Sequence, residues 1–321
     1  MSTLSHAKKL VGVVSNSLSA HRNVALALAS AATLALGATS VQAASLSNGS
    51  LSVDINNGNG AIGRVLFGGS DFYNPGTPVS DYGFQNGTDT STFNSTWRGG
   101  FFGSAVSSSS SAITVSGSYT GGGANISFTR VYSLVPGLNV LRTVSAFTNN
   151  GSDTTLSAFD TFDPDQGINQ GSGFETFNQV LTLSTPGGVA KAGQATESGG
   201  LTVIVGSLDS RATVASGNPF AIFSGDDLNN FFASPFDDGG AFSDSGTHIG
   251  LRSLLTAGTS LSFTYDQAFG TSASAAQSAF IAANGDVAAV PTPALLPGLV
   301  GLGFGVLRKR KAEAAKQTSE A

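Results

Sequence analysis

The sequence predicts an all-β protein, an antiparallel β-sandwich preceded by an N-terminal signal helix and followed by a C-terminal hydrophobic helix. Three observations carry this. The 321 residues include 42 Gly and 22 Phe but one Met and one Trp. Gly, Ser and Asn are poor in helix interiors and good in turns, whereas Phe, Val, Ile, Thr and Tyr suit a half-buried pleated surface. Apolar residues recur with period two, in short runs broken by Gly, Asn, Asp and Ser. Finally, 40% hydrophobic residues against 11% charged ones supply enough apolar surface for a core and exclude a disordered chain.

The N-terminus comes first. Lys8, Lys9 and Arg22 precede a short apolar segment at residues 24–38, and no acid occurs before Asp54. Val41, Gln42 and Ala43 follow, with small residues where a signal peptidase reads. The pattern is that of a secretory signal at residues 1–43, cleaved by signal peptidase between Ala43 and Ala44. The segment is short for a retained membrane span.

Residues 44–289 form the predicted β-sandwich domain, a size that sandwiches fill as one unit. Residues 51–55 alternate, 56–60 turn, and 61–67 return as the partner of a hairpin. After a Ser-rich loop at 107–111 come runs at 112–119, 124–134 and 138–147, separated by Gly121–Gly123 and by Pro136 and Gly137. A turn at Asn149, Asn150 and Gly151 leads into 155–162, read as the fourth strand of one meander with an apolar and a polar face. Further strands are predicted at 179–185, 201–208, 220–223, 248–251 and 260–269, and a helix at 272–284. No fixed-period repeat occurs, which argues against propellers and solenoids.

At the C-terminus, an apolar run of 14 residues at 294–307 precedes Arg308, Lys309, Arg310 and Lys311. At about 1.5 Å per residue the run alone is shorter than a bilayer core, though flanking residues bring it near spanning length. The four cations resist transfer and act as a cytoplasmic stop, leaving residues 312–321 as a cytoplasmic tail. Pro297 with Gly298, Gly301, Gly303 and Gly305 argues against a buried globular helix.

Val290, Pro291, Thr292 and Pro293, then the Gly-rich apolar run and the basic end, resemble a PEP-CTERM sorting signal over residues 290–311, with Thr292 where the usual motif has Glu. The resemblance implies recognition by an exosortase-type sorting enzyme, processing near the motif, transient anchoring in the inner membrane, and delivery to the envelope, outer surface or extracellular matrix. The Thr leaves open which enzyme reads it. Such signals ride on unrelated domains and report location rather than activity.

The stretch 128–149 resembles the galactose-mutarotase-like β-supersandwich. That resemblance implies a fold. An activity of that kind needs His and a carboxylate to exchange protons with a sugar hydroxyl. The body offers one histidine, His248, read as exposed or at a strand edge, and two glutamates, Glu175 and Glu197.

Composition excludes further classes. There is no Cys, so thiol nucleophiles, Cys-based zinc sites and disulfides are out. Between the two terminal signals lie seven basic and 18 acidic residues, and such an acidic body repels nucleic acid. It can also attract divalent cations. No Gly-x-Ser-x-Gly elbow sits at a strand-to-helix turn.

Two clusters remain as candidate sites. Asp160, Asp163 and Asp165 are read as three carboxylates where a strand ends in a turn, and Asp226, Asp227, Asp237, Asp238 and Asp244 lie in further loops. Calcium takes six to eight oxygens, so Asp160, Asp163 and Asp165 are the candidate ligands, with turn capping by Asp as the alternative. No other cofactor is expected. Asp71, Tyr73, Tyr82 and Trp97 have the makeup of a carbohydrate-binding surface, with plain core and turn packing as the alternative. The functional expectation is a non-catalytic exported surface or matrix protein associated with exopolysaccharide. The competing one is an envelope carbohydrate-active enzyme that uses Asp residues.

Overall fold

A computed structural model describes residues 43–73, 79–87, 92–93, 104–121, 124–219, 221–222 and 225–285. In chain order the strands are β1 (Ala44–Ser47), β2 (Leu51–Ile55), β3 (Ile62–Phe67), β4 (Ser70–Asp71), β5 (Val79–Asn86) and β6 (Thr92–Phe93). Then come β7 (Ser104–Ser108), β8 (Ala112–Gly121), β9 (Ala124–Leu134), β10 (Val140–Asn149), β11 (Thr154–Asp163) and β12 (Thr176–Thr185). The remainder are β13 (Gly188–Thr196), β14 (Thr202–Ser207), β15 (Ala212–Gly217), β16 (Phe242–Ser243), β17 (Gly246–Leu255) and β18 (Ser260–Gly270). Two helices, α1 (Gly225–Ala233) and α2 (Ala273–Ala283), complete the list.

These strands make three antiparallel sheets. A nine-stranded sheet runs β16-β12-β13-β14-β18-β10-β9-β8-β7; a five-stranded sheet runs β15-β17-β11-β5-β6; a four-stranded sheet runs β1-β2-β3-β4. The two smaller sheets share one core with one face of the large sheet. Val53 and Val65, Phe84 and Ile249, and Ile126, Val203 and Phe263 all belong to it. The all-β antiparallel sandwich predicted from periodicity is what forms.

Alternation explains which side each residue takes. Along β10 the odd positions Leu141 to Phe147 point inward, and every second residue between them is half-exposed. Where a helix covers the outer face, alternation disappears. β14 is buried at all six positions, because Val203 and Val205 enter the main core while Ile204 packs under α2 with Ala268, Ala276 and Phe280. α2 itself starts at Ser272, whose hydroxyl accepts the Ala275 N–H, an N-cap that the predicted helix at 272–284 contains. On the opposite outer face, α1 sets Leu228 and Phe231 over Phe159 and Ala215 of the five-stranded sheet.

Several expectations are corrected here. The meander ends after three strands. β8, β9 and β10 are neighbours, but β11 leaves for the five-stranded sheet, between β17 and β5. The place beside β10 is taken instead by β18, which pairs with β10 over nine residues from Val140–Ala268 to Thr148–Ser260. β11 is apolar on both faces, Leu156, Ala158 and Phe162 inward and Phe159 outward, which an edge of a half-exposed sheet does not accommodate. Residues 221–222 form a turn rather than the strand expected over 220–223. Asp226 and Asp227 lie in the first turn of α1 rather than in a loop. Among the described residues no helix is long and apolar enough to cross a membrane.

Candidate functional site

The centre of the core is polar. On β9, Ile126, Phe128, Arg130 and Tyr132 share the inward face, so the alternation places a guanidinium among apolar rings. Arg130 donates to both oxygens of Asp160 on β11, at 3.0 and 2.6 Å, bridging the nine- and five-stranded sheets. It also donates to the hydroxyls of Tyr132 at 2.7 Å, Tyr265 at 2.6 Å and Ser145 at 3.3 Å. Tyr132 in turn donates to the Gly60 carbonyl, which ties in the four-stranded sheet. The ring of Tyr82 lies 4.4 Å from the guanidinium carbon, a cation–π contact.

Burial works most strongly against the Arg130 charge, but Asp160, Tyr132 and Tyr265 together outweigh it and hold the pKa well above the ordinary arginine value. Burial pushes the Tyr132 phenol up to about 12, against the opposing pull of Arg130. Arg130 and Tyr132 therefore keep their protons at neutral pH. Beside them, a cavity of about 10 Å³ is lined by Ser80, Asp160, Thr247, Tyr265 and Gln267. That is the room of a single water, far below the several hundred Å³ of a small-molecule site.

His248 corrects its expectation. It is fully buried on β17, flanked by β11 and β15, rather than exposed or at an edge. Its Nε2 donates to the Asn218 carbonyl at 3.1 Å, so Nδ1 accepts from the Thr161 hydroxyl. Phe231 and Phe236 cover the ring. Burial depresses its pKa to about 4 and outweighs the opposing backbone hydrogen bonds, so the ring is neutral. With both nitrogens engaged, it has no access to a substrate proton.

The predicted carboxylate trio is regrouped. Asp160 sits mid-strand, facing Arg130, and leaves the cluster. Asp163 and Asp165 remain together and Asp244 joins them, with carboxylate oxygens within 4.8 Å of one another. The topology causes this. Asp163 is the last residue of β11, and Pro164, which has no N–H for the ladder, ends the strand. The neighbouring β17 begins just after Asp244, with Phe162 opposite Thr247, so the exit of one strand meets the entry of the next. Asp163 and Asp165 are buried while Asp244 is exposed. Desolvation, with the charges of Asp165 and Asp244, pushes Asp163 up to about 8. Desolvation, then Asp244, pushes Asp165 up to about 7. Asp237 and Asp238 instead hold turns: Asp237 accepts the Gly239 N–H, and Asp238 accepts the hydroxyls of Ser216 and Ser243.

The proposed carbohydrate surface is not a surface where it is described. Tyr73 and Tyr82 are 3% and 5% exposed, and Asp71 is buried. Asp71 accepts from Arg64 and from the Tyr73 N–H, and the Tyr82 hydroxyl donates to the Asn59 carbonyl. These rings serve the core because they lie on inward positions between sheets. Trp97, the sorting motif Val290 to Pro293 and the basic stop Arg308 to Lys311 lie outside the described residues. Of the expected cleavage pair, Ala43 is exposed and Ala44 opens β1.

Fold and site together define an all-β protein of stacked antiparallel sheets, with a sealed polar centre and a three-carboxylate cluster at one sheet end. No family model matches the chain, and no curated protein does. Among solved structures it is similar to a galactose mutarotase-like protein from Lactobacillus casei, at 10% identity and TM-score 0.44 over 71% of this chain and 100% of that one. A putative aldose 1-epimerase from Escherichia coli K12 matches at 12% identity and TM-score 0.42, over 71% and 98%. A galactose mutarotase related enzyme from Lactobacillus acidophilus matches at 9% identity and TM-score 0.42, over 72% and 98%. At TM-scores below 0.5 these likenesses carry no functional argument.

Proposed function

We propose that this chain is an exported, non-catalytic protein of the bacterial cell envelope, sorted through its C-terminal signal and associated with exopolysaccharide. The non-catalytic half is supported by one observation above all: the carboxylate at the polar centre and the one histidine among the described residues are both locked. Asp160 is held by a bidentate arginine in the core, and His248 is neutral, fully buried and hydrogen-bonded at both nitrogens. A general acid or base must reach the proton it moves. The exported half is supported by the basic-then-apolar N-terminus ending at Ala43 and by the Val290 to Lys311 signal.

Fractionation of the native host tests the first half, with N-terminal sequencing of the product. The expected result is a mature chain beginning at Ala44, found in the envelope or matrix and retained in the inner membrane when the sorting enzyme is deleted. A full-length product in the cytosol overturns the proposal. Incubation of the mature protein with envelope polysaccharides tests the second half. Binding without release of sugar is the expected outcome, and turnover abolished by an Asp substitution within 160–165 in a protein that still folds points instead to the enzyme.

A further inference from the structure

We propose that Asp163, Asp165 and Asp244 form a binding site for one calcium ion, which pins the exit of β11 to the entry of β17. The distances are right for a shared ion. Calcium–oxygen bonds of roughly 2.3–2.6 Å place two ligands of one ion at most about 5 Å apart, and these carboxylates lie within 4.8 Å of one another. The chemistry is that of a hard cation, since the ligands are oxygens only.

A cluster of acids alone does not make a site, because Asp commonly caps turns. Elsewhere in this molecule it does so: Asp71 accepts the Tyr73 N–H, Asp153 the Ala257 N–H, Asp209 the Arg211 N–H and Asp237 the Gly239 N–H. Asp165 differs. It is 2% exposed, and among the described residues its Oδ1 has no hydrogen-bond partner. The backbone around it is already satisfied, with its N–H donating to the Phe72 carbonyl and its carbonyl accepting from Ile168. A buried carboxylate oxygen without a donor is costly unless a proton or a cation takes its lone pair, and three carboxylates this close give a divalent cation more lone pairs than one proton can use. On β12, the Asn178 amide nitrogen donates to the Ser243 carbonyl, one residue before Asp244, and its fully buried Oδ1 has no partner among the described residues.

The site lies at a sheet end rather than in the polar centre, and the inference does not depend on where the protein is sorted. Its effect is mechanical. β11 and β17 are adjacent inner strands of the five-stranded sheet, and an ion held by residues just past one and just before the other closes the end of their ladder.

The test is calorimetric titration of calcium chloride into the purified, chelator-treated mature protein, with melting temperature as a second readout. One calcium per chain is expected, with a dissociation constant in or below the roughly 10⁻⁴–10⁻³ M range of extracellular calcium modules, and a melting temperature that rises on calcium addition. Asp244→Asn, at an exposed position, should fold normally and weaken binding about tenfold or more. Asp165→Asn should abolish the melting response. The proposal is overturned by the absence of saturable heat up to about 10 mM, by unchanged affinity in Asp244→Asn, or by magnesium binding as tightly as calcium.

Discussion

Arg130 holds a full charge in the middle of an apolar core, and the cost of removing it should be far larger than the cost of removing it together with its partner. Arg130→Met leaves Asp160 as an unpaired carboxylate facing Tyr265, and breaking a buried pair in this way costs about 3–5 kcal/mol. Arg130→Met with Asp160→Leu deletes both charges, and much of that loss should be recovered. Denaturant unfolding of the two variants and the wild type checks the difference; equal losses would show that the network acts by packing alone. His248 gives a pH signature. Its folded pKa of about 4 lies below the ordinary 6.5, so the unfolded chain binds the proton more readily. The stability tied to neutral His248 is therefore complete above about pH 6.5 and is lost as the pH falls toward 4, by about 3 kcal/mol in total. The difference between wild type and His248→Asn across that window isolates the effect from other titrating groups, and parallel curves would refute it. These residues were partly readable. Arg130 occupies an inward position in the run Ile126, Phe128, Arg130, Tyr132, so period two alone marks it as buried and in need of a partner. Its partner Asp160 could not be found from spacing, since it lies on another sheet. The same holds for Asp244, which reaches Asp163 only because β11 and β17 are adjacent.

At the scale of elements, strands with bulky alternation were legible: β2, β3, β8, β9, β10, β14 and β18 fall where periodicity puts them. β13 and β15 were missed, and packing explains why. Gly193 on β13 faces Thr247 so closely that a Cβ would lie 2.3 Å from its Cγ2. Close approach between layers selects small residues, and a strand of Gly and Ala reads as a loop. α1 was missed because its first turn carries Asp226 and Asp227, which resemble loop chemistry when read alone. The end of β18 shows the same crowding from the helix side. A Cβ on Gly270 would lie 2.3 Å from the Ala276 nitrogen and 2.8 Å from its Cα, atoms of the α2 backbone that cannot rotate away. Gly270→Ala should therefore push α2 off the sheet and cost on the order of 1–3 kcal/mol, as overpacking does. The check is a lower urea midpoint with an unchanged slope.

On the scale of the whole molecule, the order of strands in the large sheet sets an order of events. β18 is the last strand in the sequence, yet it lies between β14 and β10, and without it the sheet falls into two separate four-stranded halves. The ladder between β10 and β18 joins residues more than a hundred positions apart, and such distant pairings are slow to form. Until residues 260–270 are available, neither half has its central neighbour, and the Arg130 network lacks Tyr265. A chain built this way stays open at its centre for as long as its final described strand is withheld. Assembly of the large sheet then waits for the strand around which its middle is built.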